Sequence, residues 1–149
     1  MVDTADLKSS EHYVRAGSSP AFGTTNNFNT MSKEAYCSFK VAKLLKEKGF
    51  NEPCYACYIN KEISHYDYHF TNFELREDVI TSPTHQMAFD WFREKEIFIV
   101  VNYSRYYKTY RYNIYSMNID VELDHEDWNF KSYEDACDKA LLYSLKNLI

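Results

Sequence analysis

From Met31 to the C-terminus the chain contains one glycine, Gly49, and two prolines, Pro53 and Pro83. Loops that cradle phosphate need several glycines, because only then can backbone N–H groups close on the ligand. A P-loop and a dinucleotide-binding fingerprint are therefore both excluded. What such a chain can build has to be read from hydrophobic period and from helix caps.

The stretch SFKVAKLLKEKGF predicts a helix. Ser38 stands as its cap, and Phe39, Val41, Ala42 and Leu45 form its apolar stripe. Gly49 falls where a left-handed residue closes a helix, with Phe50 packing back over the last turn. PCYACYI then reads as a strand, Asn60-Lys61-Glu62 as a turn, and ISHYDYHF as an alternating second strand that NFELRE continues or follows. TSPTHQMAFDWFREK predicts the next helix, with Ser82 as cap and Pro83 in the first helical position. Met87 with Trp91, and Ala88 with Phe92, are i,i+4 pairs on its apolar face. IFIVVNY and TYRYNIYSM pair as a hairpin across SRYYK, and DVELDHEDWN is an acidic connection. In SYEDACDKALLYSLKNLI, Ser132 caps a last helix and Asp135 is placed for a reciprocal bond. Ala136, Ala140, Leu141, Leu145 and Leu148 carry its stripe. The order α-β-β-α-β-β-α implies an α+β fold, an antiparallel sheet with helices mainly on one face.

Length and composition agree with this. A chain of 149 residues, 45% apolar and 26% charged, is that of one globular domain. Its 14 tyrosines and 10 phenylalanines suffice for a core. A net charge of −5 argues against a broad nucleic-acid footprint, which needs a basic field. No apolar run reaches the length of a membrane span, and the N-terminus lacks a signal peptide's apolar centre. Four cysteines do not make a disulfide scaffold in a chain this long, so a cytoplasmic location is expected.

The first thirty residues read differently. RAGSSPAFGT, Arg15 to Thr24, has no hydrophobic period, and TTNNFNT after it is of low complexity. Gly17-Ser18-Ser19-Pro20 can be written GGT-TCG-AGT-CCC, which resembles the T-arm of a tRNA gene, and its flanks at Ala16 and Ala21 can pair. Asp6-Leu7-Lys8-Ser9 fits an anticodon arm with the leucine anticodon TAA, and Met1 to Thr4 fits the end of a D-arm. Residues 1–24 thus resemble an in-frame translated leucine tRNA gene. Residues 1–30 are expected to be a disordered leader translated from upstream DNA. Met31 would be the natural start, and residues 31–149 a single α+β domain.

KVAKLLKEKGFNEPC, PTHQMAFDWFREK and FKSYEDACDKALLYSLKNLI together resemble a group of short proteins of phages, mobile elements and genomes of gut anaerobic bacteria. That resemblance spans about Met31 to Ile149. It implies a setting in an integrated element and carries over no activity or site residue.

Three constellations bear on chemistry. Cys54 and Cys57 form C-x-x-C, for which Cys37, His65 and His69 would be the further zinc ligands. The motif sits in strand-like sequence, where positions three apart face opposite sides, so buried structural thiols are expected. His65, Asp67 and His69 share one face of a strand opposite Tyr66, Tyr68 and Phe70. Two imidazoles and a carboxylate suit a divalent metal, and alternation alone also predicts a solvated polar face. Tyr103, Arg105, Tyr106, Tyr107, Lys108 and Arg111 mix stackable rings with bases on one hairpin, the pattern that grips single-stranded nucleic acid. If Tyr110, Tyr112 and Ile114 line the core, the bases stand on the outer face without rings.

No nucleophile elbow, calcium loop or Cys–His spacing asks for catalysis, and no cofactor is expected. The sequence points to a small accessory protein of a prophage or integrated element that acts by binding another protein. Its alternatives are a single-stranded nucleic-acid module and a metal-dependent enzyme at His65, Asp67 and His69.

Overall fold

The computed structural model describes residues 36–117 and 125–149. The leader, residues 1–30, lies outside the described residues, as do Asp120, Glu122 and Asp124 of the acidic run. The elements in chain order are α1 (Phe39–Glu47), β1 (Cys54–Ile59), β2 (Glu62–Phe70), β3 (Ile80–Thr81), α2 (His85–Arg93), β4 (Ile97–Ser104), β5 (Thr109–Ser116), β6 (His125–Phe130) and α3 (Tyr133–Asn147). The fold is α+β, and among the described residues all strand pairing is antiparallel. The strands form two three-stranded sheets, ordered β2-β1-β3 and β4-β5-β6, where the sequence suggested one sheet. Two strands account for the difference. β3 has only two residues, too few to show a period. β6 arises from the stretch read as an acidic connection.

Local chemistry explains the boundaries. Gly49, at φ 90°, closes α1 as a left-handed residue. Its N–H donates to the Lys46 carbonyl at 3.1 Å and that of Phe50 to the Leu45 carbonyl at 2.9 Å, the paired bonds of a Schellman end. Elsewhere the chain makes left-handed turns without glycine. Asn60 and Lys61, at φ 52° and 69°, form the two-residue β1–β2 turn, whose twist suits a hairpin. Ser132 caps α3 as expected, its hydroxyl accepting from the Asp135 N–H at 3.1 Å. The other two caps differ. Thr84, not Ser82, caps α2 and accepts from the Met87 N–H at 3.2 Å. Pro83 therefore precedes the helix, and Ser82 is buried against β1, its N–H bonded to the Ala56 carbonyl at 2.7 Å. Ser38 occupies the N-cap of α1, but its hydroxyl makes no capping bond.

The main core lies between the three helices and the inner face of the second sheet. Val41 and Leu45 of α1, Ala88 and Phe92 of α2, and Ala140, Leu141 and Leu145 of α3 meet Ile97, Ile99, Tyr112 and Ile114 there. The first sheet has smaller clusters. One is Tyr58, Ile80 and Ala42, backed by Phe39. The other is Cys57, Phe70 and Val79, covered by Leu75 from the segment after β2. Asn72 pins that segment, with its amide donating to the Phe50 carbonyl at 2.9 Å and accepting from the Thr81 N–H at 3.0 Å.

Candidate functional site

The β4–β5 pair runs in unbroken register from Ile97↔Ser116 to Ser104↔Thr109. Successive side chains point to opposite faces of a strand. Burial of Tyr112 and Ile114 therefore makes theirs the core face and turns Arg111, Asn113 and Tyr115 outward. Phe98 and Val100 of β4 stand on the same outer face, with Phe98 opposite Tyr115 and Val100 opposite Asn113. Both are exposed.

The inner face matches the sequence reading, and the outer face departs from it. Bases without rings were expected outside. Instead Trp128 of β6, 44% exposed, places its ring beneath the Arg111 guanidinium, 5.7 Å from carbon to centroid. Tyr107 meets Trp128 edge-on at 5.8 Å, and Tyr106 meets Tyr107 at 4.8 Å. Tyr106 is the most open of these rings, at 86%. Arg105 and Lys108 lie exposed in the same turn, which Lys108 closes at φ 54°. Tyr103 belongs to the other side, against Tyr110 at 5.1 Å, and Tyr110 in turn reaches Tyr133 of α3 at 6.1 Å. The six hairpin residues thus divide. Tyr103 edges the core face. Tyr107 and Arg111 join a surface that Trp128, Tyr115, Phe98 and Val100 complete.

His65, Asp67 and His69 are exposed on β2. His65 lies against Tyr36 at 4.9 Å and His69 against Tyr55 at 5.8 Å, so the two imidazoles turn toward different neighbours. His69, but not His65 or Asp67, also lines a shallow cavity of about 400 Å³ with Cys57, Tyr66, Phe70, Leu75 and Val79. Cys54 and Cys57 belong to different clusters, the main core and the one under Leu75, as strand geometry requires. All four thiols are buried and free. Burial, above all, pushes the Cys54 and Cys137 thiols up to about 12.

A third grouping escaped sequence reading. Cys37 stands just before α1, His85 opens α2, and Asp138 lies in α3. Their donor atoms all lie within 4.8 Å of one another, and among the described residues no other trio of such ligands is so close. The His85 ring nitrogen Nε2 is 3.0 Å from the Asp138 carboxylate, which also accepts the Ser38 N–H at 3.2 Å. Asp138 so satisfies the backbone N–H of the N-cap residue, the donor that a Glu or Gln at N3 would serve in a capping box. Cys37 is fixed through its backbone: its N–H donates to the Pro83 carbonyl at 2.9 Å and its carbonyl accepts the Tyr58 hydroxyl at 2.7 Å. Burial, and then the neighbouring Asp138 carboxylate, hold the Cys37 thiol well above its ordinary range. Cys37 is fully enclosed, unlike the partly exposed cysteines that act as nucleophiles.

Comparison with known protein families, curated proteins and solved structures found no match to the chain. Among the described residues, no helix is long and apolar enough to cross a membrane.

Proposed function

We propose that the chain is a small accessory protein that acts by binding another protein through the outer face of the β4-β5-β6 sheet. One observation carries this reading: Phe98, Val100, Tyr115, Trp128, Tyr107 and Tyr106 are all exposed along one sheet face and its turn. Exposed apolar groups are ordinary when scattered, and a concentration of them marks a contact surface. Aromatic residues and arginine dominate binding energy at protein interfaces, and Arg111 stands among these rings. The net charge of −5 and the apolar end at Phe98 and Val100 favour protein over nucleic acid. The setting in a prophage or integrated element rests on the resemblances of the leader and of the three helical segments.

The test uses the full chain as bait in host-cell lysate. A partner held by wild type and lost with the pair Tyr107→Ala and Trp128→Ala, at unchanged melting temperature, supports the reading. Equal capture by both proteins overturns it. The stacked Arg111 and Trp128 favour one second reading, single-stranded nucleic acid gripped by rings and bases. Labelled single-stranded DNA that binds at micromolar concentration, survives moderate salt and fails with Tyr107→Ala would put that reading first. No binding at low salt removes it.

A further inference from the structure

We infer that Cys37, His85 and Asp138 form a binding site for one divalent transition-metal ion of zinc type. The donors come from three separate segments and meet at one point, with every pair of ligand atoms within 4.8 Å. Ligands about 2.0–2.3 Å from a zinc ion sit about 3–4 Å from each other, so little closure is needed. The 3.0 Å separation of His85 Nε2 and the Asp138 oxygen already fits a shared ion.

The donor set is also selective. A thiolate, an imidazole and a carboxylate together suit zinc or cobalt, whereas magnesium and calcium want oxygen alone. Burial supports the site. Cys37 is fully enclosed, His85 is 5% exposed, and the Asp138 side chain is 24% exposed. Water is thus kept from two ligands, and the fourth coordination position falls to solvent on the side of Asp138. The frame is held independently of any ion. The Tyr58 hydroxyl and the Pro83 carbonyl fix the backbone of Cys37, and the Ser38 N–H orients Asp138. Among the described residues, the His85 ring nitrogen and the Asp138 carboxylate oxygen, both metal-ligating atoms, already face each other beside the Cys37 sulfur.

The trio lies away from the aromatic face, so this inference does not depend on the proposed partner surface. Cobalt is the probe. The full-length protein is treated with chelator, returned to buffer and titrated with Co(II). Expected is saturation at one equivalent, with a thiolate-to-cobalt charge-transfer band, displacement by Zn(II) and a higher melting midpoint in zinc than in chelator. The band should vanish in Cys37→Ser and persist in Cys57→Ser, whose thiol lies in another cluster. His85→Gln should weaken binding by about tenfold or more, in the range for disturbing a metal site. Absence of a band and of a midpoint shift in wild type means a hydrogen-bonded node only and overturns the site. That outcome needs no variant to fold. A band that survives in Cys37→Ser overturns the assignment to these residues.

Discussion

The two sheets use their faces differently. The first, β2-β1-β3, has a cluster on each side, with α1 supplying Phe39 and Ala42 to one and Leu75 lying over the other. The second, β4-β5-β6, gives its inner face to the main core and leaves rings on the outer one. An antiparallel sheet commonly has one wet face, but a wet face is normally polar. What covers the first sheet comes from its own chain. The second has the richer outer face and, among the described residues, nothing laid across it. The packed core and the exposed rings thus lie on opposite sides of one sheet.

The largest expected effect tests whether the main core dominates. Phe92→Ala should cost about 3–5 kcal/mol in urea unfolding, because Phe92 is fully buried among all three helices. Phe70→Ala, in the small cluster under Leu75, should fall at or below the bottom of that range. Equal losses would break the distinction between the two cores.

Alkaline pH probes the same contrast. Burial raises the folded-state pKa of Cys54, Cys137 and Tyr112 to about 12, against ordinary values of 9.0 for the thiols and 10.0 for tyrosine. These groups stabilise the fold fully below their unfolded pKa, and the contribution is lost as pH rises toward the folded one. Urea midpoints should therefore fall steadily from about pH 9 upward. A flat profile to pH 11 would show that the main core does not keep these groups neutral.

Asp138→Ala removes the acceptor for both Ser38 N–H and His85, and a loss of about 1–3 kcal/mol is expected in metal-free buffer. Capping residues give a finer scale. Thr84→Ala should cost about 1 kcal/mol, whereas Ser38→Ala, whose hydroxyl makes no cap, should cost only a few tenths. On the same small scale, Trp128→Ala should change stability by no more than about 0.5 kcal/mol while abolishing partner capture. A large stability loss there would mean that the outer face is structural, and the comparison of the sheets would fail.

The helices and both hairpins were legible because each advertises itself locally. Gly49 and Phe50 close α1, Ser132 caps α3, and period-2 alternation marks β2 and β5. TSPT offered several hydroxyls beside a proline, and the preference for proline in a first turn pointed to Ser82, two residues too early. β6 was hidden for a different reason. Asn129 adopts φ 74°, the pairing with β5 shifts register between Tyr110 and Tyr112, and Trp128 and Asp127 are exposed. No alternation into a core survives such a bulge. The Cys37, His85 and Asp138 grouping has no local signal at all, since His85 and Asp138 are 53 residues apart in the chain. Only the packing of α1, α2 and α3 joins them. Arg111 and Trp128 meet through a strand that the sequence did not display.

The four enclosed thiols give the molecule a built-in clock. A cysteine shielded from solvent reacts with an alkylating reagent only when the structure around it opens, so its labelling rate measures a local opening equilibrium. Cys57 times the first sheet, while Cys137 of α3 times the main core. If the two halves open as one cooperative unit, these sites label with a common opening free energy. If the first sheet breathes alone, Cys57 is consumed first. The chain thus carries, without any introduced probe, the means to learn whether its two sheets unfold together.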